Sequence, residues 1–160
     1  MSGPVSTTAN PAVPTHEKPL LKVDLTWTGD LVFAARAGDT HMTLDSAGHA
    51  GPSPMQTLAV ALAGCMAMDL VHILTKGRVA PTGVRASLSG RRPEHAPSRF
   101  TAIALHFDVE GPVPEDQIDR AIQLSREKYC SVWNSMRQDI DFTVTYTVHP
   151  YQPQEPTPQD

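Results

Sequence analysis

Two cysteines, Cys65 and Cys130, are the residues of this 160-residue chain whose chemistry stands out. A thiolate attacks peroxides, disulfides and other electrophiles, and two thiols that meet can close a disulfide. Cys65 stands in the run Ala-Leu-Ala-Gly-Cys-Met-Ala-Met-Asp, where small neighbours leave room for another backbone or a narrow apolar slot. Cys130 stands in Lys-Tyr-Cys-Ser-Val, between the end of one expected helix and the start of the next. A helix N-terminus and the Lys128 cation both favour thiolate there. Each cysteine also fits as a small buried hydrophobe, the ordinary fate of a free thiol. Burial raises a thiol pKa, and Asp69, one helical turn beyond Cys65, raises it further when ionised and close. A reactive Cys65 therefore needs a cation, and Arg36, Arg91, Arg92 and Arg99 are the candidates.

Other chemistries find less support. The seven histidines occur without HExxH, HxH or CxxC spacing, so a metal site would have to be assembled from distant positions, and neither metal nor cofactor is expected. His41, His72 and His106 are more naturally surface or satisfied residues than catalytic ones. There is no Gly-rich phosphate loop, no GxSxG and no pair of carboxylates distinct from an ordinary charged surface. A net charge of −4 without a Lys/Arg run argues against a grip on nucleic acid or anionic lipid. The start of the chain lacks the basic and apolar regions of a secretory signal, and two cysteines make no disulfide framework, so a reducing cytoplasm is the expected compartment.

The elements that must carry the thiols follow from periodicity. Residues 1–19 and 150–160 are rich in Pro, Ser, Thr and Gln and read as disordered tails around one domain at 20–149. Leu21, Val23, Leu25 and Trp27 alternate with polar residues, predicting a strand with one buried face. Turns at Gly29-Asp30 and Gly38-Asp39 continue it into a three-strand meander with strands at 31–36 and 41–45. Met55 to Leu74 is a long apolar helix with Met55, Leu58, Leu62, Cys65, Asp69 and His72 along one side. It is long enough to span a bilayer, but Asp69 and His72 interrupt it and Pro54 and Gly77 bracket it as they do a soluble helix. A helix so apolar on all sides needs a partner in a chain this small, which favours an oligomer. Strands over 84–89 and 101–109 precede a helix that starts near Pro114, with Ile118, Ile122, Ser125 and Tyr129 inward. A short helix over 131–138 and a strand over 140–148 complete an α+β order, βββ-α-ββ-αα-β.

Gly51-Pro52-Ser53-Pro54, followed by Leu58, Ala61 and Ala63-Gly64-Cys65, resembles the OsmC/Ohr family, osmotically inducible protein C and the organic hydroperoxide resistance proteins. Lys128-Tyr129-Cys130-Ser131-Val132 resembles that family's second cysteine motif, and the resemblance covers roughly Leu21 to Val148. It implies an intertwined homodimer whose two central helices are wrapped by sheets from both chains, with the active sites at the interface. In the peroxidase members the cysteine matching Cys65 attacks an organic hydroperoxide, the one matching Cys130 closes a disulfide, and a dithiol reductant restores both.

Such members hold the thiolate with an Arg from the N-terminal hairpin and orient that Arg with a Glu ten residues before the first cysteine. Here Met55 stands at the Glu position with Gln56 beside it, and the hairpin turn has no Arg, the nearest being Arg36. Arg36 and Arg99 are accordingly the candidates for stabilising the thiolate, and Met55 and Gln56 for lining the pocket. The leading expectation is a peroxidase reducing organic hydroperoxides. The rivals are a dithiol protein acting on another electrophile and a non-enzymatic dimer that binds an apolar molecule.

Overall fold

The computed structural model describes residues 17–150; the two expected tails lie outside them, apart from 17–19 and Pro150, which carry no regular structure. Two compact units divide between Gly51 and Pro52.

The first unit is a three-stranded antiparallel sheet, β1 (Asp24–Gly29), β2 (Val32–Ala37) and β3 (Thr40–Asp45), in the order β1-β2-β3. Gly29 and Asp30 both take positive φ at the first hairpin and Gly38 does so at the second, so the turns sit where the Gly-Asp pairs predict. The register pairs Trp27 with Phe33 and Phe33 with Leu44, and Leu25 with Ala35 and Ala35 with Met42. Because side chains alternate across a strand, one face collects all six of these residues. Leu25, Trp27 and Met42 on that face are exposed. The unit ends in a loop fastened by Asp45, whose carboxylate accepts the Ala47, His49 and Ala50 N–H groups at 2.8–3.0 Å. These bonds hold the Asp45 carboxyl below the usual carboxylate range. A Cβ at Gly51 would collide with the Thr43 carbonyl, so the chain can leave the loop this way only with glycine.

The second unit holds the core. Helix α1 (Pro54–Lys76) opens with a capping box: Ser53 Oγ accepts the Gln56 N–H at 3.3 Å and Gln56 Oε1 accepts the Ser53 N–H at 2.8 Å. Pro54 at its first position loses no needed donor. Its fully buried stripe is Leu62, Met66, Leu70 and Leu74, one residue per turn, rather than the line through Cys65 and His72 that spacing suggested. Cys65 and Asp69 flank the stripe half-buried, and His72 is exposed. By length and composition α1 could cross a membrane; here its buried stripe joins the core of the second unit, beside α2 (Glu115–Leu124).

Strands β4 (Gly83–Arg91), β5 (Ala102–Glu110) and β6 (Asp141–His149) form the second sheet, antiparallel between β4 and β5 and parallel between β5 and β6. Ile103, Leu105, Phe107 and Val109 alternate inward along β5 as the sequence predicts. The parallel pairing of β5 and β6 requires a crossover, which α2 and the segment after it supply. In α2, Ile118 and Ala121 are buried and Glu115 and Asp116 occupy the first turn, as the helix dipole favours. The segment Ser125–Tyr129 is then a π-helical turn, closed by the Cys130 N–H donating to the Ser125 carbonyl at 2.8 Å. That wider turn adds a residue to the winding, so Ser125 stays buried while Tyr129, expected inside, turns out to solvent. Helix α3 (Ser131–Asn134) follows, shorter than the predicted 131–138.

Candidate functional site

Cys65 and Asp69 are four residues apart on α1 and so lie on one side of it, one turn above the other. Cys130 reaches the same place from the junction between the π turn and α3. The two Sγ atoms and a carboxylate oxygen of Asp69 all lie within 4.8 Å of one another. Both thiols are free. The structure thus brings together the two residues that the sequence singled out, although 64 residues separate them.

Cys130 is held rigidly. Its N–H is fixed to the Ser125 carbonyl, its carbonyl accepts the Asn134 side-chain amide at 2.9 Å, and its Sγ accepts the Trp133 N–H at 3.3 Å as the N-cap of α3. Trp133 packs on Phe142 with ring centroids 4.3 Å apart, and the Arg126 guanidinium lies 5.3 Å from the Phe142 ring. The surroundings of Cys130 oppose the thiolate that the sequence led one to expect. Burial pushes its pKa up to about 12; the Trp133 N–H pulls the other way, while the neighbouring Cys65 thiol and the Asp69 carboxylate add to the rise. Lys128, the cation expected to help, is exposed and lies 5.4 Å over the Tyr129 ring.

Asp69 is the residue whose importance the sequence reading understated. Its Oδ2 accepts the hydroxyl of buried Ser125 at 2.7 Å, which fixes the carboxylate beside the thiols. Among the described residues it forms no ion pair. Asp69 also lines a pocket of about 260 Å³, together with His72, Ile73, Lys76, Leu124 and Tyr129. The signal for Asp69 was its i+4 spacing from Cys65; the signal for Ser125 was only a polar residue on an inward face.

The remaining candidates engage other partners. Arg36, on β2, pairs with Asp24 at 3.7 Å. Arg99 pairs with Asp139 at 3.4 Å and donates to the Phe100 carbonyl at 3.2 Å. Met55 packs against the core of the second unit, and exposed Gln56 is committed to the capping box.

A family model described as OsmC-like protein matches residues 46–145, spanning both cysteine motifs. The chain is 38% identical over 125 residues to protein YhfA of Escherichia coli K12, covering 76% of this chain and 93% of that one. It belongs to the OsmC family. Among solved structures, a hypothetical protein from Aquifex aeolicus VF5 superposes with a TM-score of 0.78 at 27% identity, covering 84% of this chain and all of that one. An organic hydroperoxide resistance protein OsmC from Legionella pneumophila shares the fold, with a TM-score of 0.62 at 17% identity over 81% and 97% of the two chains. This OsmC-family chain therefore presents its two thiols within the fold shared by organic hydroperoxide resistance proteins, with Asp69 beside them.

Proposed function

We propose that this OsmC-family protein is a thiol-dependent peroxidase that reduces organic hydroperoxides in a reducing cytoplasm. The observation that carries the reading is the approach of the Cys65 and Cys130 sulfur atoms to within 4.8 Å. Half-buried Cys65 is the more accessible thiol, and a Cys130 thiol pushed up to about 12 is a poor first nucleophile at neutral pH. Cys65 thiolate therefore attacks the distal peroxide oxygen, the O–O bond breaks, and the alcohol leaves with a proton while Cys65 becomes a sulfenic acid. Cys130 sulfur then attacks Cys65 sulfur, its proton and the hydroxyl leave as water, and a disulfide forms. An external dithiol restores both thiols by exchange, becoming a disulfide itself.

The working unit in this reading is a homodimer. Its support is apolar surface that one chain leaves bare: Met68 and Val60 on α1 are 73% and 67% exposed, and Trp27 on the first sheet is 65% exposed. A Cβ at Gly64 would meet open space, so the face of α1 beside Cys65 has room for a second backbone. Stabilisation of the Cys65 thiolate by Arg36 or Arg99 would require either one to leave its present carboxylate partner.

Cys65→Ser in the purified protein tests the reading. Consumption of cumene hydroperoxide is expected to fall to the level of a control without protein, and full retention would overturn it. Met55 at the position where peroxidase members carry Glu favours, as the second reading, a dithiol acting on a disulfide or another electrophile. Substrate competition for Cys65 separates the two.

A further inference from the structure

Cys65, Asp69 and Cys130 combine two thiols with one carboxylate, a set of sulfur and oxygen donors that suits a borderline cation. We propose that the trio is a binding site for a divalent transition metal of the zinc class, coordinated by both sulfur atoms and the Asp69 carboxylate. The geometry carries it. The three ligand atoms already lie within 4.8 Å of one another, whereas such donors on a tetrahedral zinc sit roughly 3.5–3.8 Å apart, given metal–sulfur bonds near 2.3 Å and metal–oxygen bonds near 2.0 Å. A contraction of about 1 Å closes the site.

The surroundings are arranged as outer partners of a metal site. The Ser125 hydroxyl donates to Asp69 Oδ2 at 2.7 Å, and among the described residues no other hydrogen bond reaches that carboxylate, so its second oxygen is uncommitted. Cys65 and Asp69 share one helix face, and Cys130 is clamped through its N–H, carbonyl and sulfur. The Asp69 carboxylate is half-buried beside two thiols with no ion pair among the described residues. A cation placed between them would relieve the mutual repulsion of the three anionic ligands. Two thiolates select zinc-class ions over magnesium or calcium, and the fourth coordination position remains for water.

Binding must expel the thiol protons, which enter solvent, so affinity rises with pH. No oxidation or reduction is involved, and the site does not depend on the peroxidase reading. A metal-loaded pair would be shielded from alkylation and from peroxide, making the ion a reversible block on the thiols.

The test uses full-length, fully reduced protein and cobalt(II) as the probe. The expected result is a thiolate-to-cobalt charge-transfer band with the visible bands of four-coordinate cobalt, saturating at one ion per chain and bleached by zinc. Asp69→Asn should weaken binding about tenfold or more. Asp69→Cys should retain binding with a stronger charge-transfer band, and it keeps the test decisive if the Asn variant folds poorly. Cys130→Ala should abolish the band. Absence of the charge-transfer band with both thiols free would overturn the proposal, as would cobalt affinity unchanged in Asp69→Asn.

Discussion

At the scale of single residues, the proposed chemistry rests on a contrast between two thiols and on the carboxylate that lies beside them. Cys130 is an N-cap, a position that draws a thiol towards ionisation, yet burial, with smaller contributions from Cys65 and then Asp69, outweighs that pull and raises its pKa. Replacing Asp69 with Asn removes one cause of that rise. The rate of Cys130 alkylation in the folded protein should therefore increase at lower pH than in the parent; an unchanged pH profile would remove Asp69 from the account. Both cysteines were legible from their sequence motifs, and so was the turn that relates Asp69 to Cys65. Lys128, named as a cation that would favour the Cys130 thiolate, lies over the ring of its neighbour Tyr129. Nothing in residue type marks which way a lysine will point when the turn that carries it changes its winding.

At the scale of elements, periodicity located nearly every strand and helix, because β5 and β6 alternate cleanly and α1 is bounded by Ser53-Pro54 and Gly77. The π turn escaped it. The pattern Ile118, Ile122, Ser125 holds at helical spacing and slips at Tyr129, where i→i+5 bonding replaces i→i+4 without any signature in composition. That turn positions Cys130 against α1, so the least legible element is the one that completes the site. The parallel pairing of β5 with β6 was equally hidden, since strands of either sense show the same alternation. The α1 cap is a measurable support: Ser53→Ala removes the bond to the Gln56 N–H and should lower stability by about 1 kcal/mol in urea unfolding. The loop that leads to it responds to acid. Asp45 has a depressed pKa in the folded chain, so its contribution is complete above about pH 4 and is lost as pH falls further. Amide exchange at Ala47, His49 and Ala50 should accelerate below that pH, and should be pH-independent there in Asp45→Asn apart from the intrinsic rate.

At the scale of the whole molecule, the sequence raised a difficulty that one chain does not resolve. Helix α1 is apolar nearly all round, and the core fully covers only the stripe of Leu62, Met66, Leu70 and Leu74, leaving Val60 and Met68 exposed. The apolar face of the first sheet is likewise open at Leu25, Trp27 and Met42. A homodimer would bury these surfaces, and sedimentation at micromolar concentration should show twice the chain mass. Met68→Glu, which places a charge on the bare face of α1, should shift the protein towards monomer; a parent protein that is monomeric throughout would contradict the assembly.

The central claim is that Cys65 and Cys130 act as one redox pair. The most direct test exposes the reduced protein to a small excess of cumene hydroperoxide, with hydrogen peroxide in parallel, and follows free thiols together with intact mass. Both thiols should disappear together, rapidly with the organic peroxide, and the product mass should correspond to the loss of two hydrogens in a Cys65–Cys130 disulfide. Survival of both thiols would contradict peroxidase chemistry at this site.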